Sequence, residues 1–89
     1  MSSIYEAVTD YIEADRQIDS SPKNSPAFLQ GWKKIALIKK NHPRLGERIQ
    51  KIVRMAFSGK LIPSRLPLEE SEILRALVDN DVLELDTPN

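Results

Sequence analysis

Three prolines, Pro26, Pro43 and Pro67, each open onto a segment whose apolar residues recur at helical spacing, and this punctuation constrains the fold more than any other feature of the chain. Proline fixes its own φ near the helical value, carries no N–H to leave unpaired in a first turn, and drives the preceding residue out of the α region. A chain divided in this way reads as successive helices joined by tight turns. Ser25-Pro26 is an N-cap followed by a first helical position, Asn41-His42-Pro43 breaks one helix and opens the next, and Pro67 precedes Glu69, Glu70 and Glu72 at a helix's positive end. The expected helices cover 3–16, 26–40, 44–58 and 67–80.

Each segment has its own face. In the first, Ser3 and Glu6 form a capping box, and Ile4, Val8, Tyr11 and Ile12 lie opposite Glu6, Asp10 and Glu13. A polar linker, Asp19 to Pro26, follows. The second segment sets Phe28, Trp32, Ile35 and Ile38 in one row with Leu29 and Leu37 off it, which predicts a helix buried on more than one side, at the centre of the fold. Gly31 costs that helix up to about 1 kcal/mol relative to alanine, so a neighbouring helix is expected to approach closely there. The third segment separates Leu45, Ile49, Ile52, Val53 and Ala56 from Arg44, Arg48, Lys51 and Arg54, and ends at Gly59. The fourth buries Ile73, Leu74, Leu77 and Val78, after which Val82-Leu83-Glu84-Leu85 is either a short extended tail or a last helical fragment. Short connections favour antiparallel neighbours, so the expected fold is all-α, an antiparallel four-helix bundle formed by one domain over residues 1–89.

Composition removes most chemistries. The absence of cysteine excludes thiolate nucleophiles, disulfides and thiolate metal sites, and a single histidine, His42, leaves no imidazole cluster. His42 lies in a proline-bounded turn, where a turn-stabilising role is expected rather than general-base catalysis. The carboxylates fall on solvent faces or at helix starts, and Gly31, Gly46 and Gly59 are too isolated to form a phosphate loop. The chain therefore reads as a non-catalytic protein with no metal, no cofactor and no small-molecule substrate. It shows no leader sequence and no apolar run of the roughly 20 residues needed to span a bilayer, so a cytoplasmic protein, at most peripheral at the membrane, is expected.

The formal net charge of zero conceals segregation. Residues 23–65 hold eleven Lys or Arg against Glu47 alone, whereas residues 1–22 carry a net −4 and residues 66–89 a net −6. The basic section either faces an anionic partner or is neutralised by the acidic helices, with Glu47 and Lys51 forming an ordinary i,i+4 pair. Its most specific feature is the row Arg44, Arg48 and Lys51 at i, i+4 and i+7, with Arg54 beside it. Met55, with the adjacent Lys60-Leu61-Ile62 segment, suits an adaptable contact beside it, while Phe28, Trp32 and Phe57 fall at positions expected to be core. These residues predict a macromolecular interface on the third helix and its connector. A protein partner is the leading expectation and nucleic acid gripped through Arg44, Arg48, Lys51 and Arg54 the alternative; the basic face with Leu61-Ile62 also admits contact with anionic headgroups, and the broadly apolar second helix admits a homodimer.

The layout resembles the small immunity proteins that protect producers of class II bacteriocins, the group that includes enterocin A immunity-like bundles. The likeness rests on the Ile4-Tyr5 helix, the polar Ser20 to Ser25 loop, two central basic helices, Gly59-Lys60-Leu61-Ile62, and Leu66-Pro67 leading into Glu72-Ile73-Leu74-Arg75-Ala76-Leu77. It implies a four-helix bundle acting in the cytoplasm at the membrane, with specificity carried by Arg44 to Gly59 and by Val82 to Asn89. The acidic ending Asp86-Thr87-Pro88-Asn89 departs from the aromatic-bearing tails of that group.

Overall fold

The computed structural model describes residues 3–84, which form four α-helices: α1 (Ile4–Ser20), α2 (Pro26–Asn41), α3 (Leu45–Phe57) and α4 (Leu68–Asp79). A single 3₁₀ turn, Pro63–Arg65, interrupts the connector before α4. Among the described residues there is no strand, so the chain is an all-α helical bundle. None of these helices is long and apolar enough to cross a membrane.

Local chemistry sets the helix starts. The Ser3 hydroxyl accepts the Glu6 N–H at 3.1 Å, and the Ser25 hydroxyl accepts the Phe28 N–H at 3.3 Å with Pro26 as the first helical residue. Two boundaries are one or two residues tighter than the sequence predicts: Pro43 stays in the turn while Arg44 is the N-cap of α3, and Pro67, with an extended ψ of 159°, is the N-cap of α4 rather than its first residue. The first helix runs a full turn beyond the predicted end at Arg16. Tertiary contacts hold that turn, because Gln17 Nε2 donates to the Ala27 carbonyl at 2.8 Å and Ile18 packs against Gly31.

The helix at the centre is α1, not α2. One side of α1 packs on α2 and another on α4, while α3 packs on α4. Small residues make this possible: Ala7 and Ala14 are buried on α1, and a Cβ at Gly31 would stand 2.7 Å from Ile18 Cγ1 and 3.1 Å from the Ala14 carbonyl. Gly31 thus marks the close helix approach expected from its position. Gln17 lies beside Ala27, Ala14 beside Gly31, and Asp10 in a cleft with Leu37 and Ile38, so residue numbers fall along one helix of this pair as they rise along the other.

The core combines Val8, Leu45, Ile52, Ile73 and Leu77, all fully buried, with Ile4, Ile12, Ile38 and Leu74. The predicted faces of α1, α3 and α4 therefore point inward. On α2 only Gly31, Ile35 and Ile38 are buried, and Trp32, Leu29 and Leu37 are 48%, 50% and 62% exposed. The expectation that Trp32 and Phe57 belong to the core fails: Phe57 is 80% exposed, and Phe28 is half-buried. Phe57 is the last residue of α3 and stands roughly 100° around the helix from the middle of its buried arc.

Both later helix ends close in the same way. After α3 the Lys60 N–H reaches the Met55 carbonyl at 2.9 Å and the Gly59 N–H reaches that of Ala56 at 3.3 Å, with Gly59 at φ +72°. After α4 the Val82 and Asp81 N–H groups bond Leu77 and Val78 at 2.9 and 3.1 Å, but the left-handed residue is Asp81, at φ +61°. The chain then turns Leu83 into the core, so Val82 to Glu84 do not form the last helical fragment, one of the two expectations for this segment. Leu85 and the remainder of the predicted Val82 to Asn89 specificity segment lie outside the described residues.

Candidate partner-binding surface

Of the predicted basic row, Arg48 turns inward to its own fold. Its Nε and Nη2 donate to Glu70 Oε1 at 3.1 and 2.6 Å, and Nη1 lies 3.7 Å from Glu69 Oε2. Both Arg48 and Glu70 are largely covered, and the guanidinium holds the Glu70 carboxyl below its ordinary range, the hydrogen bond outweighing the opposing effect of burial. This bridge ties α3 to the start of α4, so among the described residues the internal neutralisation allowed by the charge pattern takes place at Arg48. It replaces the expected Glu47–Lys51 pair as the ionic contact of the row.

The other cations stay outward. Arg44, Lys51, Arg54 and Lys60 are exposed, and no ion pair reaches them among the described residues. Lys51 and Met55 border a shallow cleft of about 400 Å³ between α3 and the connector, closed on the far side by Arg65, Leu66, Pro67 and the Arg48–Glu70 bridge. Met55 is half-buried at this cleft and shared with a second groove toward Arg54 and Ser58. Leu61 is partly buried against the core, whereas its neighbour Ile62 is 47% exposed.

Sequence reasoning missed the residues that give this end its apolar character. Phe57 and Leu68 are 80% and 81% exposed, and together with Ile62 they flank Lys60 and Arg65 along the connector. Helical geometry would have found two of them, since Phe57 and Leu68 both point away from the buried arcs of their helices. From Arg48 to Leu68 there is no acidic residue. The surface therefore sets Lys51, Arg54, Lys60 and Arg65, none of them in an ion pair among the described residues, beside large apolar side chains.

The opposite junction is occupied by structure. Tyr5 Oη donates to Asp79 Oδ2 at 2.6 Å, which raises the phenol's pKa above its ordinary value, and Arg75 lies 5.6 Å over the Tyr5 ring. Asn80 Nδ2 donates to Thr9 Oγ1 and to the Ala76 carbonyl at 3.2 and 2.8 Å, and Arg16 donates to the Asn80 carbonyl. These contacts clasp α4 to α1. His42 is the C-cap of α2, its N–H bonded to the Ile38 carbonyl at 2.7 Å and its carbonyl accepting from Leu45 at 3.1 Å. Among the described residues no three His, Asp or Glu side chains converge as a metal site.

Compared with models of protein families, with curated proteins and with solved structures, the chain matches none of them.

Proposed function

We propose that this protein is a non-catalytic helical binding protein that regulates or neutralises a protein partner through the C-terminal half of α3, the connector and the start of α4. The observation that carries the reading is the exposure of Phe57, Ile62 and Leu68 within a stretch, Arg48 to Leu68, that has five basic residues and no acid. Exposed aromatic and large aliphatic side chains beside basic residues are enriched at surfaces that a partner covers. Arg44, Lys51, Arg54 and Lys60 would set orientation and encounter rate, Phe57 and Leu68 would supply most of the affinity, and Met55 would adapt to the partner at the cleft beside Lys51.

A cytoplasmic bacteriocin immunity protein, acting on a membrane-associated target, is one form of this reading, and it agrees with the resemblance in helix pattern. Arg48 is a poor candidate for partner contact under any form of it, because its guanidinium is already engaged by Glu70.

The test is photo-crosslinking from position 60, identification of the adduct, and titration of the purified partner. Replacing Phe57 and Leu68 with serine is expected to weaken binding by a factor of about 30 or more, and replacing Arg44, Lys51 or Arg54 singly by about fivefold or less. Nucleic acid gives the contrary result: binding that falls log-linearly with salt, indifferent to the two serines and abolished by removing the three cations, would overturn the reading.

A further inference from the structure

The outward face of α2 has no neighbour within the fold. This helix packs on α1 and forms no extended seam with α3 or α4. At about 100° per residue, Lys39, Trp32, Ala36, Leu29, Lys40 and Lys33 follow one another across its outer arc, all exposed. Trp32, Ala36 and Leu29 form an apolar row with Lys39 on one side of it and Lys40 and Lys33 on the other. Phe28 meets Trp32 edge to face, with ring centroids 6.4 Å apart at 70°, and so limits the swing of the indole. No acidic residue occurs between Asp19 and Glu47, so nothing along α2 or its flanking turns offsets these charges.

We propose that this face of α2 docks in the plane of an anionic lipid bilayer. The surface is separate from the α3 and connector surface above and does not depend on it. Charge complementarity and the order of the arc select this occupant. Continuing the Leu29, Trp32, Ala36 row by one more turn reaches Lys39, which a partner helix would bury in its seam, whereas at a bilayer the lysine stem lies along the interface and its ammonium reaches a phosphate. A second copy of the chain would bring the same lysines against these. Nucleic acid would use the lysines and the indole but has no use for Leu29 and Ala36. Tryptophan is at home at headgroup depth, and each lysine near an anionic surface strengthens binding about fivefold.

Trp32 is the chain's single tryptophan, so its emission reports this face alone. The full chain is mixed at low salt with vesicles of phosphatidylcholine, or of equal parts phosphatidylcholine and phosphatidylglycerol. Blue-shifted Trp32 emission and co-sedimentation with the anionic vesicles only, weakening about fivefold for each of Lys33→Gln, Lys39→Gln and Lys40→Gln, are expected. A Leu29→Glu variant with unchanged circular dichroism should lose the shift, and a Lys51→Gln/Arg54→Gln variant should keep it. The proposal is overturned by unshifted emission with anionic vesicles, by equal binding to both compositions, by a shift that follows protein concentration without lipid, or by loss of binding only in the Lys51/Arg54 variant.

Discussion

Glycines 31 and 46 invite the same substitution and should give opposite results. Replacing a helical glycine with alanine removes unfolded-state freedom and favours the helix, by about 1 kcal/mol in mid-helix and about half that in a first turn. At Gly46 the new methyl would meet Tyr11 Oη at 3.4 Å, an ordinary contact, so Gly46→Ala should be stabilised by about 0.5 kcal/mol. At Gly31 the methyl would fall 2.7 Å from Ile18 Cγ1 and 3.1 Å from the Ala14 carbonyl. The first neighbour is a branched side chain held in a helix seam and the second is backbone, so α1 and α2 must separate. Overpacking of this kind costs about 1–3 kcal/mol, which exceeds the helical gain and leaves Gly31→Ala about 1 kcal/mol less stable than the parent. For a domain of this size that lowers Tm by about 4–8 °C, readable by far-ultraviolet circular dichroism and by urea denaturation. The double variant Ile18→Ala/Gly31→Ala should be more stable than the sum of its single changes predicts, because the shorter side chain removes the nearer clash. A Gly31→Ala protein that melts at or above the parent would refute the close approach of α1 and α2.

Three further outcomes follow from other contacts. Arg48→Ala should cost about 1 kcal/mol near neutral pH; because the Glu70 carboxyl ionises below its ordinary range in the fold, its contribution is present above about pH 4.3 and is lost as pH falls through the lowered value. Parent and Glu70→Gln stabilities should therefore converge in acid, and a constant difference down to full protonation would contradict the bridge. Asp81→Gly should raise stability by about 1 kcal/mol, measured by urea titration, since a residue at φ +61° in a helix-ending turn strains an L side chain. Phe57→Ser/Leu68→Ser should change stability by less than about 0.5 kcal/mol per site, and a larger loss in thermal melts would mean that these side chains are packed.

The helices and three of their buried faces were legible because periodicity and proline punctuation are local signals. Val8, Ile12, Leu45, Ile52, Ile73 and Leu77 could be assigned inward from spacing alone. Which helix takes the centre could not, since it depends on small residues meeting across a seam. Ala7 and Ala14 carry little hydrophobic weight in a pattern, yet they admit neighbours to α1, while the heavier side chains of α2 advertise burial they do not have. The same limit applies to the candidate surface. The outward row Arg44, Lys51 and Arg54 was readable, but the diversion of Arg48 to Glu70 joins residues 22 positions apart and leaves no periodic trace.

The clasp between Tyr5 and Asp79 joins positions 74 apart in the chain. The α1–α2 hairpin can close over a turn of a few residues, an inexpensive loop, but the other side of the central helix stays open until α4 arrives from the far end of the sequence. The order of events in folding is thereby biased: hairpin first, long-range closure last. Until that closure Val8 and Ile4 have only part of their final surroundings, so a chain interrupted within α4 presents an apolar helix flank to chaperones and proteases. Cellular lifetime is then set less by the strength of the α1–α2 seam than by how promptly the last helix comes home.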